Sequence, residues 1–400
     1  MGFFADCMAP FPDPEVTFEL RLTDEAWHNM SACSFDDYQQ YKKYEPFEGH
    51  KCDYHKATCA YRNLRSGHNR SGIDCRIRRK GFSTWEAMGS KPSYKLKIDD
   101  GALELGLLDG VELSVDELTL NNMKYSDSWS GHREVEAYDL FREIGFRNTP
   151  VAAHAEVAVF KGAHHKETGR YAMIQNINDG AYLKSHWQEQ HPGGDYGDGG
   201  YLLFEVDNRG LEFKKGKKNL APGELVDVEL FETVINREGE LLDHMDPEDL
   251  SRYYIGELLT ANYDGACLRY IPNNHYVSVT RNHTDAPKVR LLPKGMDRVF
   301  QGCSYEVGRL FGQGGVLAGE MHPPYCGPMQ KLLDDTSHAA RYRELLENAT
   351  ATASYQKRTC RDDVVTMSVT MIASVLLSLV CLLLACVGVS VCPRPSCTKW

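Results

Sequence analysis

The strongest constraint lies near the C-terminus. From Val364 to Val391 the chain reads VVTMSVTMIASVLLSLVCLLLACVGVSV, and no charged residue appears until Arg394. A helix needs about 20 apolar residues to cross the hydrocarbon core of a bilayer. Its backbone groups bond internally, so it crosses without water. The run therefore predicts a single transmembrane helix at 364–391, with a stalk at 346–363 and a short tail at 392–400. A buried soluble helix of this length would carry a polar face. A lipid-anchor signal that is later removed would suit the small residues from Ala349 to Ser354. The polar tail CPRPSCTKW argues against that alternative.

The residues before this run are ample for a large core. The chain carries 45 Lys+Arg against 56 Asp+Glu, a net charge of −11. That balance argues against nucleic acid as a partner, because phosphate backbones call for excess basic charge. Four of the 13 cysteines cluster at Cys33, Cys52, Cys59 and Cys75. They predict disulfides and an oxidising compartment. Zinc ligation by Cys52, Cys59, His50 and His55 is the competing reading, although no CxxC spacing supports it. Cys392 and Cys397 stand where a juxtamembrane thiol can be acylated. N-x-S/T triplets at Asn29, Asn69, Asn282 and Asn348 agree with a lumenal or extracellular domain. The opening MGFFADCMAPFPDP has no basic segment followed by an apolar one. Residues 1–15 are read as a leader of unclear role with an incomplete start; a tail-anchored cytosolic domain is the alternative.

Strands are expected at FELRL (18–22), CRIRRKG paired with SYKLKI, VAAHAEVAVF, GRYAMIQNI, YLLFEVD, HYVSVT and KVRLLP. In SYKLKI, Tyr94, Leu96 and Ile98 face one side and Lys95 and Lys97 the other. Helices are expected at 134–144, closed by Gly145, at 249–261 and at 342–348. HPGGDYGDGG and KKGKKN read as solvated loops, and GQGGVLAG as at most a weak phosphate cradle. Strands and helices without strict alternation give an α+β class.

No nucleotide P-loop, zinc-protease or serine-hydrolase motif is present. A scattered set remains: Lys95 and Lys97 on a strand, Asp264 in NYDG, Asn273 and Asn274 in NNHY, and Asp297 in PKGMDRVFQG. Such a set can carry phosphoryl transfer. Lysine neutralises phosphates, an aspartate orients the acceptor hydroxyl, and asparagine with a second aspartate holds a divalent cation. Each member also has an ordinary reading. The lysines are the solvated face of an amphipathic strand, Asp264-Gly265 is a turn pair, and Asn273-Asn274 is a hairpin loop.

In order, RKGFSTW, KPSYKLKI, Arg133 leading into AYDLFREIGF, GRYAMIQNIND, NYDG, NNHYVSV and PKGMDRVFQG resemble the motifs of the spore-coat-protein-H (CotH-like) atypical kinases. The resemblance covers about Phe18 to Gly302. It implies a protein-kinase-like bilobal domain over 16–345, ATP as donor and Mg²⁺ or Mn²⁺ as cofactor. It implies Lys97, or Lys95, on the phosphates and Asp264 as the catalytic aspartate. Asn274 or Asn273 and Asp297 would be metal ligands, with Arg133 at the family arginine. Two positions depart from the pattern. Gln175 replaces the family glutamate, and Gly295 replaces the first aspartate of PWDLD. The expected function is a membrane-anchored kinase acting on Ser/Thr of secreted or surface proteins. A catalytically inactive binding or adhesion protein is the alternative, and a structural surface protein a third.

Overall fold

Alternation of buried and outward residues decides the architecture. In β1 (Val16–Leu22), Val16, Phe18, Leu20 and Leu22 are buried while Glu19 and Arg21 are exposed. A strand with that period has one apolar face and must cover it. The same period recurs in β2 (His55–Asn63), β3 (Asn69–Lys80) and β4 (Ser93–Ile98). The computed structural model describes residues 13–43, 49–81, 84–99, 101–108, 111–124, 133–177, 182, 201–207, 210–215, 244–260, 262, 265, 274–280, 288–296, 299, 332 and 335–351.

Seven strands close into a barrel in the order β1-β2-β3-β4-β7-β9-β8, with β7 at Glu117–Asn121, β8 at Ala152–Lys161 and β9 at His164–Gln175. Neighbours pair antiparallel except at the seam, where β1 and β8 run parallel with Leu20 opposite Val159. The inward residues form one core, including Phe18, Tyr61, Ile77, Tyr94, Leu96, Leu118, Val157 and Met173. The hairpin β5 (Leu103–Leu108) and β6 (Val111–Val115) plugs this core with Leu103, Leu105, Leu113 and Val115. Tyr61 Oη donates to the Leu105 carbonyl at 2.7 Å, and Asn63 Nδ2 donates to the same oxygen at 3.0 Å.

A second core forms against the outer face of β8 and β9. Ala152, Ala172 and Ile174 share one apolar cluster with α3 (Arg133–Glu143), α4 (Pro247–Leu259) and α5 (Thr336–Thr350), in which α3 lies on β8 and β9, α4 on α3 and α5 on α4. The cluster continues into a four-stranded antiparallel sheet in the order β11-β10-β12-β13, which α4 meets at β13. Its strands are β10 (Tyr201–Asp207), β11 (Gly210–Lys215), β12 (His275–Thr280) and β13 (Lys288–Pro293). Asp246 caps α4 by accepting from the Glu248 and Asp249 amides, and Pro247 opens the first turn. Gly256 lets α4 approach α3, since a Cβ there would run into the Phe141 ring.

Before the barrel's second strand come α1 (Asp24–Ala32) and α2 (Phe35–Lys43). Disulfides join Cys33 to Cys52 and Cys59 to Cys75. The bridges consume Cys52 and Cys59, so the zinc reading fails.

The expected bilobal α+β kinase domain is corrected by this architecture. The described residues are predominantly β, with a closed barrel, and hold thirteen strands and five helices. The reason is the seam. Strands that read individually as hairpins close on one another once β1 pairs with β8, so β1 to β4 and β7 to β9 form a barrel rather than the open sheet of a lobe. Among the described residues no helix is long and apolar enough to cross a membrane. The run 364–391, the segments HPGGDYGDGG and GQGGVLAG, and KKGKKN beyond Lys215 lie outside the described residues.

Candidate functional site

Because Tyr94, Leu96 and Ile98 point into the barrel, Lys95 and Lys97 stand on its outer face. Glu117 is paired across the strands with Lys97. Lys95 Nζ lies 3.0 Å from Glu117 Oε2, and Lys97 Nζ lies 3.7 Å from Oε1. Asn176 Nδ2 donates to Glu117 Oε2 at 2.8 Å. The Lys95 side chain is only 16% exposed against 41% for Lys97, so Lys95 is the more firmly held. Burial pushes the Lys95 pKa down from the ordinary lysine value. Glu117 pulls it back up, and repulsion from Arg78 lowers it again. Arg78 sits directly across from Lys95 on β3.

A second group gathers where α4 ends. Glu257, buried in α4, accepts from Asn262 Nδ2 at 2.9 Å, and the same nitrogen lies 3.3 Å from Met296 Sδ. The Gly265 amide donates to the Asn262 carbonyl at 3.0 Å, and a Cβ on Gly265 would run into the Glu257 carboxylate. Asn262 and Gly265 bracket the NYDG motif, and Met296 directly precedes Asp297. The two motif segments are thus tied through the buried Asn262 carboxamide. Asn274 and Gly295 meet beside them. A Cβ on Gly295 would fall 2.9 Å from Asn274 Cγ and Oδ1. The Lys294 amide donates to the Asn274 carbonyl at 3.1 Å.

The two groups adjoin through β12. Ile177, one residue after Asn176, packs with Tyr276, two residues after Asn274. Burial above all raises the Tyr276 pKa, with Tyr138, Glu212 and Glu117 adding to it.

Lys95 and Lys97 come together on Glu117, which strand reading alone missed. Asn274 meets Gly295. Gln175 is buried with its side-chain oxygen accepting from the Val151 amide at 3.2 Å, so it serves the barrel. Arg133 opens α3. The next residue, Glu134, accepts from Asn121 Nδ2 at 2.7 Å, which places this helix end at the far end of β7 from Glu117. Asp264, Asn273 and Asp297 lie outside the described residues.

The order of these segments is matched over residues 77–357 by the family model described as CotH kinase protein, which is more than half of the chain. The chain belongs to the CotH kinase family. Among curated proteins, none matches it. Kinases of this family use ATP and a divalent cation. The CotH match begins at Ile77, within β3, so β1, β2, α1, α2 and the bridged Cys33, Cys52, Cys59 and Cys75 precede it.

The described residues fit one of those two cofactors. A nucleotide's phosphates suit the partly buried lysine pair, since anionic oxygens are what cations on a shielded face can bind. A divalent cation calls for carboxylates. Here Asn274 offers a carboxamide beside Gly295, and Asp264 and Asp297, the carboxylates expected at the cation, lie outside the described residues. Among the described residues no group of three or more His, Cys, Asp and Glu could hold a metal.

Proposed function

We propose that this CotH-family chain is an ATP-dependent protein kinase that takes the nucleotide phosphates on Lys95 and Lys97 and transfers phosphate to Ser/Thr of secreted or surface proteins. The observation that carries this reading is the pair of lysines fixed by Glu117 and Asn176, set beside the strand that bears Asn274. ATP supplies the phosphoryl group, and catalysis of its transfer rests on positioning and charge. Lys95, stiffened by its ion pair, would hold a phosphate oxygen at low entropic cost. Lys97, more exposed, would follow the outer phosphates. Asp264 would orient the acceptor hydroxyl, and Asn274 with Asp297 would complete the cation's ligands. The two disulfides and the exposed sequon residues Asn69 and Asn348 support an oxidising, lumenal or extracellular setting. A membrane anchor at 364–391 belongs to the same proposal on sequence alone.

The Gly295–Asn274 contact favours a second reading, a kinase-like domain that binds nucleotide without transferring phosphate. Calorimetric titration of ATP with Mg²⁺ or Mn²⁺, on the full chain and on Lys95→Ala, tests the first part. Binding that Lys95→Ala abolishes supports the site. Equal affinity in both rejects it. Mass-shift detection of phosphate on the protein or on a secreted acceptor then separates kinase from binder.

A further inference from the structure

We infer that Arg78 joins Lys95 and Lys97 as the third cation of a polyphosphate-binding face, and that a disulfide-stapled loop carrying Tyr54 holds it there. This rests on the nucleotide-binding reading and adds a ligand residue and a brace that lies outside the family match.

The register of β3 makes the case. Arg76 and Arg78 both point outward, across from Lys97 and Lys95. Arg76 is neutralised by Asp99, with Nε 2.6 Å from Oδ1. Arg78 instead lies with its guanidinium 4.9 Å from the centre of the Tyr54 ring, and its Nε, shut off from solvent, makes no hydrogen bond. Among the described residues, three cations therefore crowd a partly buried face against the single charge of Glu117. Buried charge is costly unless it is paired. An anion with two or more charges would settle the balance, and a guanidinium matches phosphate oxygens in bidentate fashion.

The brace is local and well fastened. Cys52 is bridged to Cys33. Lys51 Nζ lies 2.7 Å from Asp37 on α2. Tyr41 Oη donates to Asp53 at 2.6 Å, and the Tyr41 ring stacks on His50 at 5.3 Å. Residues 50–53 are thus bolted to α2, and Tyr54 follows immediately. All of this precedes residue 77, where the family match begins.

The test uses sodium tripolyphosphate as probe, titrated calorimetrically into the full chain, with melting curves to confirm folding of each variant. Arg78→Gln should weaken binding about tenfold or more, the scale of a lost charge-assisted hydrogen bond. Arg78→Lys should recover part of the loss. Arg76→Gln, on the same strand face but already paired, should stay within about twofold. The Cys33→Ser/Cys52→Ser double variant should weaken binding as well, by freeing Tyr54. Unchanged affinity in Arg78→Gln, an equal loss in Arg76→Gln, or no binding by the wild type overturns the inference. The same titrations with ATP keep the two ideas apart. Tripolyphosphate binding without ATP binding removes the nucleotide reading and leaves the anion face. ATP binding that ignores Arg78→Gln does the reverse.

Discussion

Gly295 stands where the motif resemblance implies a family aspartate, and its replacement has a cost that follows from the local geometry. Its φ is +65°. A residue with a Cβ in that left-handed conformation costs about 1–2 kcal/mol. The Cβ would also stand 2.9 Å from Asn274 Cγ and Oδ1 and 3.2 Å from Nδ2. The carboxamide cannot simply retreat, because Asn274 has φ +51° and its carbonyl is held by the Lys294 amide. Overpacking at such a contact adds about 1 kcal/mol. Gly295→Ala should therefore destabilise the chain by about 2–3 kcal/mol, read as a fall in Tm of about 4–8 °C. Asn274→Gly removes the carboxamide and suits its own positive φ. In that background Gly295→Ala should cost about 1 kcal/mol less, a coupling that a double-mutant cycle measures. A Gly295→Ala variant that melts within about 1 °C of wild type would refute the reasoning. Gly295→Asp carries the same strain, so restoring the family aspartate alone should not improve cation-dependent ATP binding.

Gly256→Ala should destabilise although alanine is the better helix former by about 1 kcal/mol, because the new methyl meets the buried Phe141 ring; a raised Tm would contradict the packing. The Cys59→Ala/Cys75→Ala variant opens a link of 16 residues' separation and should lose about 3 kcal/mol in urea titration; an unchanged midpoint would mean the bridge adds nothing. Tyr94 and Tyr171 donate to Glu167 Oε1 at 2.6 and 3.3 Å. Burial first, then Glu167, raises both pKa values above the ordinary 10.0. Their stabilisation is complete below pH 10.0 and is lost as pH climbs from there toward the folded values. Urea midpoints should fall in that window and fall less in Tyr94→Phe, whereas parallel profiles would exclude the tyrosines as the cause.

Strand faces were legible wherever the period of two was clean. SYKLKI put Tyr94, Leu96 and Ile98 inward and the lysines outward with no tertiary information. The helix at 133–143 was legible from its apolar spacing and from Gly145, whose φ is +82°. The four clustered cysteines announced bridges but not which thiols pair, since pairing depends on where Cys33 and Cys52 come to lie. Closure of the barrel was illegible, because the parallel seam joins segments far apart in the chain. Glu117 was missed for a related reason: a glutamate opening a strand looks solvated until the register sets it opposite Lys97. Nothing in the sequence marks Glu257 as buried, a placement that depends on Asn262 returning over the helix end. Gln175, read as standing at the family glutamate, has its oxygen engaged by the Val151 amide, which only the pairing of β8 and β9 reveals.

The parallel seam also governs how the chain can be made. Leu20 waits for Val159, roughly 140 residues downstream, before one side of β1 is covered. At ribosomal speeds that is an interval on the order of ten seconds. Through it, β1 offers open amides and carbonyls to any neighbouring nascent chain. Glu19 and Arg21, which form an ion pair on its outward face, are the charges that discourage such pairing. Removing both should leave the finished barrel little changed and lower the yield of protein that reaches it.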